Sequence, residues 1–166
     1  TDADVTGPDF KMNPPLREES DRTAVVAALA DGTIGAVATD HAPHSLEKKA
    51  RGLAAAPFGV IGMESAFAAV YTGLVRTGAI SLGDLVHRFT EGPARIGRVA
   101  GGRLADGERA EVNLVDLGNP FEFTEDCLRS MGRNCPFLSR RLHGRIVATA
   151  AGDTLSTHER FRSGSA

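Results

Sequence analysis

The sequence predicts an α/β fold, a parallel sheet or barrel whose strands alternate with helices. Three observations point there. Residues 34–39 form a short apolar run with β-branched side chains and no charge, the composition of a strand buried on both faces. A helical segment over residues 21–30 precedes it, and a candidate strand over residues 9–13 precedes that, so strand, helix and strand follow one another. The run ends in Asp40-His41-Ala42-Pro43-His44, a carboxylate and two histidines at a strand end, where parallel barrels carry their catalytic groups. An aspartate there can equally cap a polar turn.

The elements follow in order. Residues 1–8 are polar with a Gly-Pro pair and read as a loop. Pro14-Pro15 ends the first strand, because proline lacks a ladder donor and restricts the residue before it. Glu18-Glu19-Ser20-Asp21 puts acidic charge at a helix start. Residues 21–30 are apolar on most faces and predict a short, largely buried helix, closed by Asp31-Gly32. Residues 45–56, rich in Lys, Arg, Gly and Ala, predict a mobile loop of the kind that closes over a site. Met63, Phe67, Val70, Leu74 and Val75 recur at helical spacing and predict a helix over 62–77, ended by Gly78. Ser81 or its successor caps another helix running to Phe89, in which His87 reads as a surface or packed side chain. Gly92-Pro93-Ala94-Arg95 starts a short helical turn.

From Gly97 the character changes to short β-type runs punctuated by glycine turns, with strand-like alternation over 111–116 and 145–150. A boundary is expected near 96–100. It would separate barrel elements over 1–96 from a small β domain over 97–156, with a Ser-, Arg- and Gly-rich tail over 157–166 expected to be frayed and disordered.

The 166 residues suffice for one domain with a real core, or for pieces of two. A formal net charge of −2 gives no electrostatic argument for nucleic acid or an anionic membrane. No apolar run is long enough to cross a bilayer and no secretory signal opens the chain. Cys127 and Cys135 form no disulfide or zinc pattern, so a reducing cytoplasm is the expected location and neither thiol is expected to matter. Thr1-Asp2-Ala3-Asp4 reads like the middle of a loop, which raises the expectation of a longer parent.

Asp40 is the strongest candidate for chemistry, since a carboxylate at a strand mouth can ligate a metal, accept a proton, or do both in turn. His44 could bind an anionic substrate, whereas His41 favours a structural role. Asn13 could meet a planar substrate edge or cap its turn, and Arg17 could bind a carboxylate or pair with an acidic neighbour. At Phe58-Gly59 the glycine would let backbone groups approach a ligand. A metal site needs three or more protein ligands, of which Asp40 is one.

Lys11-Met12-Asn13-Pro14-Pro15-Leu16-Arg17, then Asp40-His41-Ala42-Pro43-His44, then Pro57-Phe58-Gly59-Val60-Ile61-Gly62-Met63-Glu64 closely resemble the type I dihydroorotases of the amidohydrolase superfamily. Gly102-Arg103-Leu104 through Asp116 is similar to the superfamily's return strand, with Glu111 where aspartate is usual. Asn134-Cys135-Pro136-Phe137 resembles an N-T-P-F motif with cysteine for threonine. The resemblance implies the C-terminal part of a metal-dependent (β/α)8 barrel plus part of a small β domain. It implies reversible cyclisation of N-carbamoyl-L-aspartate to L-dihydroorotate in pyrimidine synthesis. It also implies zinc, binuclear in the full-length parent, with most ligands upstream of Thr1.

By the same resemblance Asp40 is a metal ligand and the catalytic proton acceptor, and Asn13, His44, Phe58 and Gly59 bind substrate. This chain alone is then expected to be inactive, and to aggregate, form a homodimer or bind its missing N-terminal half. Three alternatives stay open: an allantoinase or dihydropyrimidinase, a non-catalytic scaffold for aspartate transcarbamoylase, and a β/α binding module without chemistry.

Overall fold

In the computed structural model, residues 1–157 are described. Helices α1 (Glu19–Ala30), α2 (Leu46–Lys49), α3 (Gly52–Ala55), α4 (Ala66–Val70), α5 (Leu82–Phe89) and α6 (Glu91–Gly97) come first. Strands β1 (Glu111–Asp116), β2 (Phe121–Phe123), β3 (Arg140–Leu142), β4 (Arg145–Ala151) and β5 (Thr154–Thr157) follow. All pairing between these strands is antiparallel, in a three-stranded sheet ordered β1-β4-β5 and a two-stranded sheet β2-β3. Helices and strands are both present as the sequence predicts, but the parallel sheet expected between them is not formed among the described residues, where the one parallel pairing is an isolated bridge.

Local signals explain the well-placed elements. Ser81 Oγ accepts from the Asp84 backbone N–H at 3.0 Å while the Ser81 N–H donates to the Asp84 carboxylate at 3.1 Å, a reciprocal cap that starts α5. The Ser81 hydroxyl, which donates to the Asp84 carboxylate at 2.6 Å, and the Ser81 N–H hold that carboxyl below its ordinary pKa. The strands expected over 111–116 and 145–150 are present as β1 and β4, paired antiparallel from Glu111 opposite Ala151 to Asp116 opposite Arg145 with a register shift between Leu114 and Val115. The burial of β1 does not alternate, Val112 and Leu114 both being exposed.

Five expectations are corrected. Residues 34–39 are extended but carry no ladder among the described residues, and the only strand-like pairing nearby is a parallel bridge between His41 and Val60. Composition reports how well a segment suits burial, whereas a ladder needs a neighbour to pair with. Residues 9–13 hold a 3-10 turn over Pro8–Phe10 in place of a strand. Helix α1 buries only Leu29 and leaves Val25 51% exposed, because few described residues cover its apolar side chains. Residues 45–56 form the two short helices α2 and α3, the first capped by Ser45. The helix expected over 62–77 starts only at Ala66 and widens into a π turn over Tyr71–Val75, where Arg76 N–H bonds Tyr71 O and Ala79 N–H bonds Leu74 O, each five residues back. Of the expected tail, Thr157 closes β5 and 158–166 lie outside the described residues.

Two apolar clusters hold these elements. One joins Leu29, Ile80 and Leu85 beneath α1, α4 and α5. The other joins Ile61 and Ala68 to Phe123, Leu128, Cys135 and Leu142, so it packs residues from both sides of the position where the composition changes. The π turn adds polar links across the same junction, with Tyr71 Oη donating to Leu117 O at 3.4 Å and Thr72 Oγ1 to His143 O at 3.3 Å.

Helix α6 crosses the extended run so closely that a Cβ at Gly92 would collide with the Gly35 carbonyl oxygen and lie 2.9 Å from His87 O. Gly92→Ala should therefore lower the unfolding free energy by about 1–3 kcal/mol in a denaturant titration. An unchanged midpoint would mean that α6 does not pack on the run in solution.

Candidate functional site

The site is built on the turn that ends the extended run. Asp40 adopts φ 44°, a left-handed conformation that aspartate tolerates better than most side chains, and it is exposed. The chain then reverses through Ala42, whose N–H bonds Val60 O at 2.9 Å, and Pro43 prevents continuation.

His44 Nε2 lies 2.8 Å from Phe58 O. A carbonyl only accepts, so Nε2 carries the proton and Nδ1 is the free edge of the ring. Gly59 follows at φ 117°, where a Cβ would stand 2.6 Å from Ala42 Cβ and 3.1 Å from His44 Nε2, so both backbone angle and space demand glycine. Its N–H bonds Lys11 O at 2.9 Å, which brings the segment bearing Asn13 alongside. Lys11 Nζ sits 4.6 Å over the Phe58 ring and donates to Ala54 O at 2.9 Å.

The structure thus brings His44, Phe58 and Gly59 into contact. Asn13 and Asp40 lie on flanking segments, both exposed, and among the described residues neither side chain has a hydrogen-bond partner. Arg17 pairs with Asp21 at 3.1 Å instead of facing the site.

Four residues that sequence reasoning gave no role support this group. Asn134, 1% exposed, accepts from His44 N–H at 2.9 Å and donates to Ala42 O at 3.0 Å and Gly59 O at 3.2 Å. Lys49 is 3% exposed and donates Nζ to Gly59 O at 2.9 Å and Pro57 O at 3.2 Å; burial pushes its pKa down. The Glu64 carboxylate takes three donors on Oε1: Ser130 Oγ at 2.7 Å and the Arg129 and Ser130 N–H groups at 3.0 Å. Ser130 Oγ is also 3.1 Å from His41 Nε2.

His41 Nδ1 accepts from the Met63 N–H at 3.1 Å and lies 3.6 Å from Glu64 Oε2, and its Nε2 faces the Ser130 hydroxyl, so the ring is held on both edges. That is a structural role. Burial raises the Glu64 pKa, but the Ser130 hydroxyl and the backbone N–H groups of Glu64, Ser130 and Arg129 outweigh it and hold the carboxyl below its ordinary value. Asn134 and Glu64 lay in quoted motifs that could have flagged them; Lys49 gave no signal, because a lysine in a charged run reads as surface.

No group of three or more His, Cys, Asp or Glu among the described residues could hold a metal ion. Asp40 can offer one ligand, and these residues by themselves do not fit a metal centre. No described helix is long and apolar enough to cross a membrane.

Comparison with solved structures defines the class. The fold matches an L-hydantoinase (dihydropyrimidinase) from Arthrobacter aurescens with a TM-score of 0.87 and 27% identity, over 95% of this chain and 36% of that one. It also matches the dihydropyrimidinase from Brevibacillus agri NCHU1002 with a TM-score of 0.83 at 22% identity, over 92% of this chain and 34% of that one, a likeness of fold. In sequence the chain is similar to dihydroorotases, the resemblance its motifs carry. It is 43% identical over 149 residues to those of Bacillus cereus (strain B4264) and Bacillus thuringiensis (strain Al Hakam), over 90% of this chain. The chain spans about a third, 35%, of the length of these curated relatives. No family model matches it.

Two pH effects follow. Glu64 is stabilising above its ordinary pKa, and that contribution is lost as pH falls through the lowered folded value. Glu64→Gln should cost about 1–3 kcal/mol near neutrality, and the deficit should shrink on acidification through that window in paired denaturation curves. Lys49 gives a pH slope of the same sign, although here the charged form is penalised: with its folded pKa depressed by burial, the folded state gains stability as pH rises from that value toward the unfolded one. Wild type should therefore gain on Lys49→Met in alkaline denaturation, and a constant difference would count against a buried charge.

Proposed function

We propose that this chain is the C-terminal part of a (β/α)8 amidohydrolase and that the whole protein is a dihydroorotase, opening and closing the dihydroorotate ring. The observation that carries this reading is the Asp40 carboxylate, free of partners among the described residues on the turn that presents His44, in a sequence 43% identical to dihydroorotases. In the ring-opening direction Asp40 accepts a proton from the attacking water and returns it to the ring nitrogen as the carbon–nitrogen bond breaks. His44 offers the free Nδ1 edge of its ring to the substrate carboxylate when that nitrogen is protonated, while Phe58 and Gly59 present backbone to the ring. Asn13 lies on the flanking segment and meets the ring edge.

Asp40 would supply one ligand to the zinc that the dihydroorotase likeness implies, the remaining ligands lying elsewhere in the whole protein, and such an ion would supply Lewis-acid chemistry. A second reading, hydrolysis of dihydropyrimidines or hydantoins, draws on the Arthrobacter aurescens likeness.

Asp40→Asn in the full-length protein should lower dihydroorotate turnover by about 10²–10⁴-fold with little loss of folding. Assays of dihydroorotate, dihydrouracil, hydantoin and allantoin side by side would decide the substrate. Preference for any of the last three would replace the dihydroorotase reading.

A further inference from the structure

Asn134 stands 90 residues from His44 in sequence, yet its side chain is nearly sealed from solvent against the site. One carboxamide joins two loops. Its oxygen takes the His44 N–H, and its nitrogen donates to the carbonyls of Ala42 and Gly59. Its backbone oxygen accepts from Ile61 N–H at 2.9 Å, which ties down the far end of the Gly59 loop. The approach is tight as well: a Cβ on Gly132 would lie 2.9 Å from both Asn134 Oδ1 and His44 O.

We propose that Asn134 is a positioning residue, one that sets the spacing between the His44 turn and the Phe58-Gly59 loop and so fixes the groups that hold substrate. The assignment rests on the proposed ring hydrolysis for its kinetic consequence, though not for its structural one. No other common side chain supplies an acceptor and two donors from one planar group of this size; aspartate keeps the acceptor and turns a negative oxygen on two carbonyls, and leucine fills the volume with no bond. A shift of a few tenths of an ångström between the loops breaks the 2.8 Å His44–Phe58 bond, because hydrogen bonds weaken steeply beyond their range.

The test uses the full-length protein with Asn134→Leu, Asn134→Asp and the control Leu85→Ala, whose buried side chain belongs to the other core cluster. Each is assayed at a temperature where circular dichroism shows it folded. Both Asn134 variants should raise KM for dihydroorotate about tenfold or more, a loss equal to one such bonding arrangement, with kcat changed less. The control should leave KM unmoved despite its lost stability. Hydrogen exchange read by mass spectrometry should speed up in peptides over 41–44 and 58–61 in the Asn134 variants alone.

A KM no more altered than in the control, in an active wild type, overturns the proposal. If the wild type opens none of the four rings, the functional reading falls, and the exchange data still decide: unchanged protection over 41–44 and 58–61 overturns the positioning role.

Discussion

A single buried carboxamide, that of Asn134, fixes how the parts of this molecule meet. Burying an amide without partners costs several kcal/mol in an apolar surrounding, so each of its bonding positions must be met. Here they are met by the backbone of Ala42, His44 and Gly59, three residues that ordinary secondary structure does not join. The demand runs both ways: the amide needs the loops, and the loops, which lack a ladder of their own, need the amide.

Around that brace two buried charges are held mainly by dipoles. Lys49 is a buried cation answered by carbonyls, and Glu64 a largely buried anion whose Oε1 takes N–H and O–H donors while its Oε2 has no hydrogen-bond partner and lies 3.6 Å from His41 Nδ1. Dipoles of fixed direction hold charge with less distance tolerance than an ion pair does, so each cluster also dictates backbone position. Lys49 grips the Pro57 and Gly59 carbonyls, and Glu64 grips the 129–130 peptide while Ser130 meets the His41 ring. Glycine at 59 and 132 leaves the room these contacts require.

What could be read from the sequence follows from the range of each signal. The α5 cap at Ser81, the short α6 and the positions of β1 and β4 rest on local signals, and they are where the residues put them, although β1 does not bury alternate side chains. Residues 34–39 announce burial by composition but not pairing, and the lysine-rich 45–56 segment hides two helical turns behind a loop-like charge. In the site, the motifs singled out His44, Phe58 and Gly59 one by one, and their contact with one another comes from the structure. Asn134 and Lys49 could not be ranked from sequence, because their importance lies in which carbonyls they reach, and that is settled by packing across the chain.

The π turn over Tyr71–Val75 behaves as one residue more than an α-helix would need. The wider turn absorbs that residue, so the chain downstream keeps nearly the direction a regular helix would give it. Tyr71 and Thr72 reach Leu117 and His143 while Tyr71, Leu74 and Val75 also pack against Leu29, Ile80 and Leu85. One surplus residue thus lets a single short helix serve two partners at once, and a helix without it would have one side chain fewer to share between them.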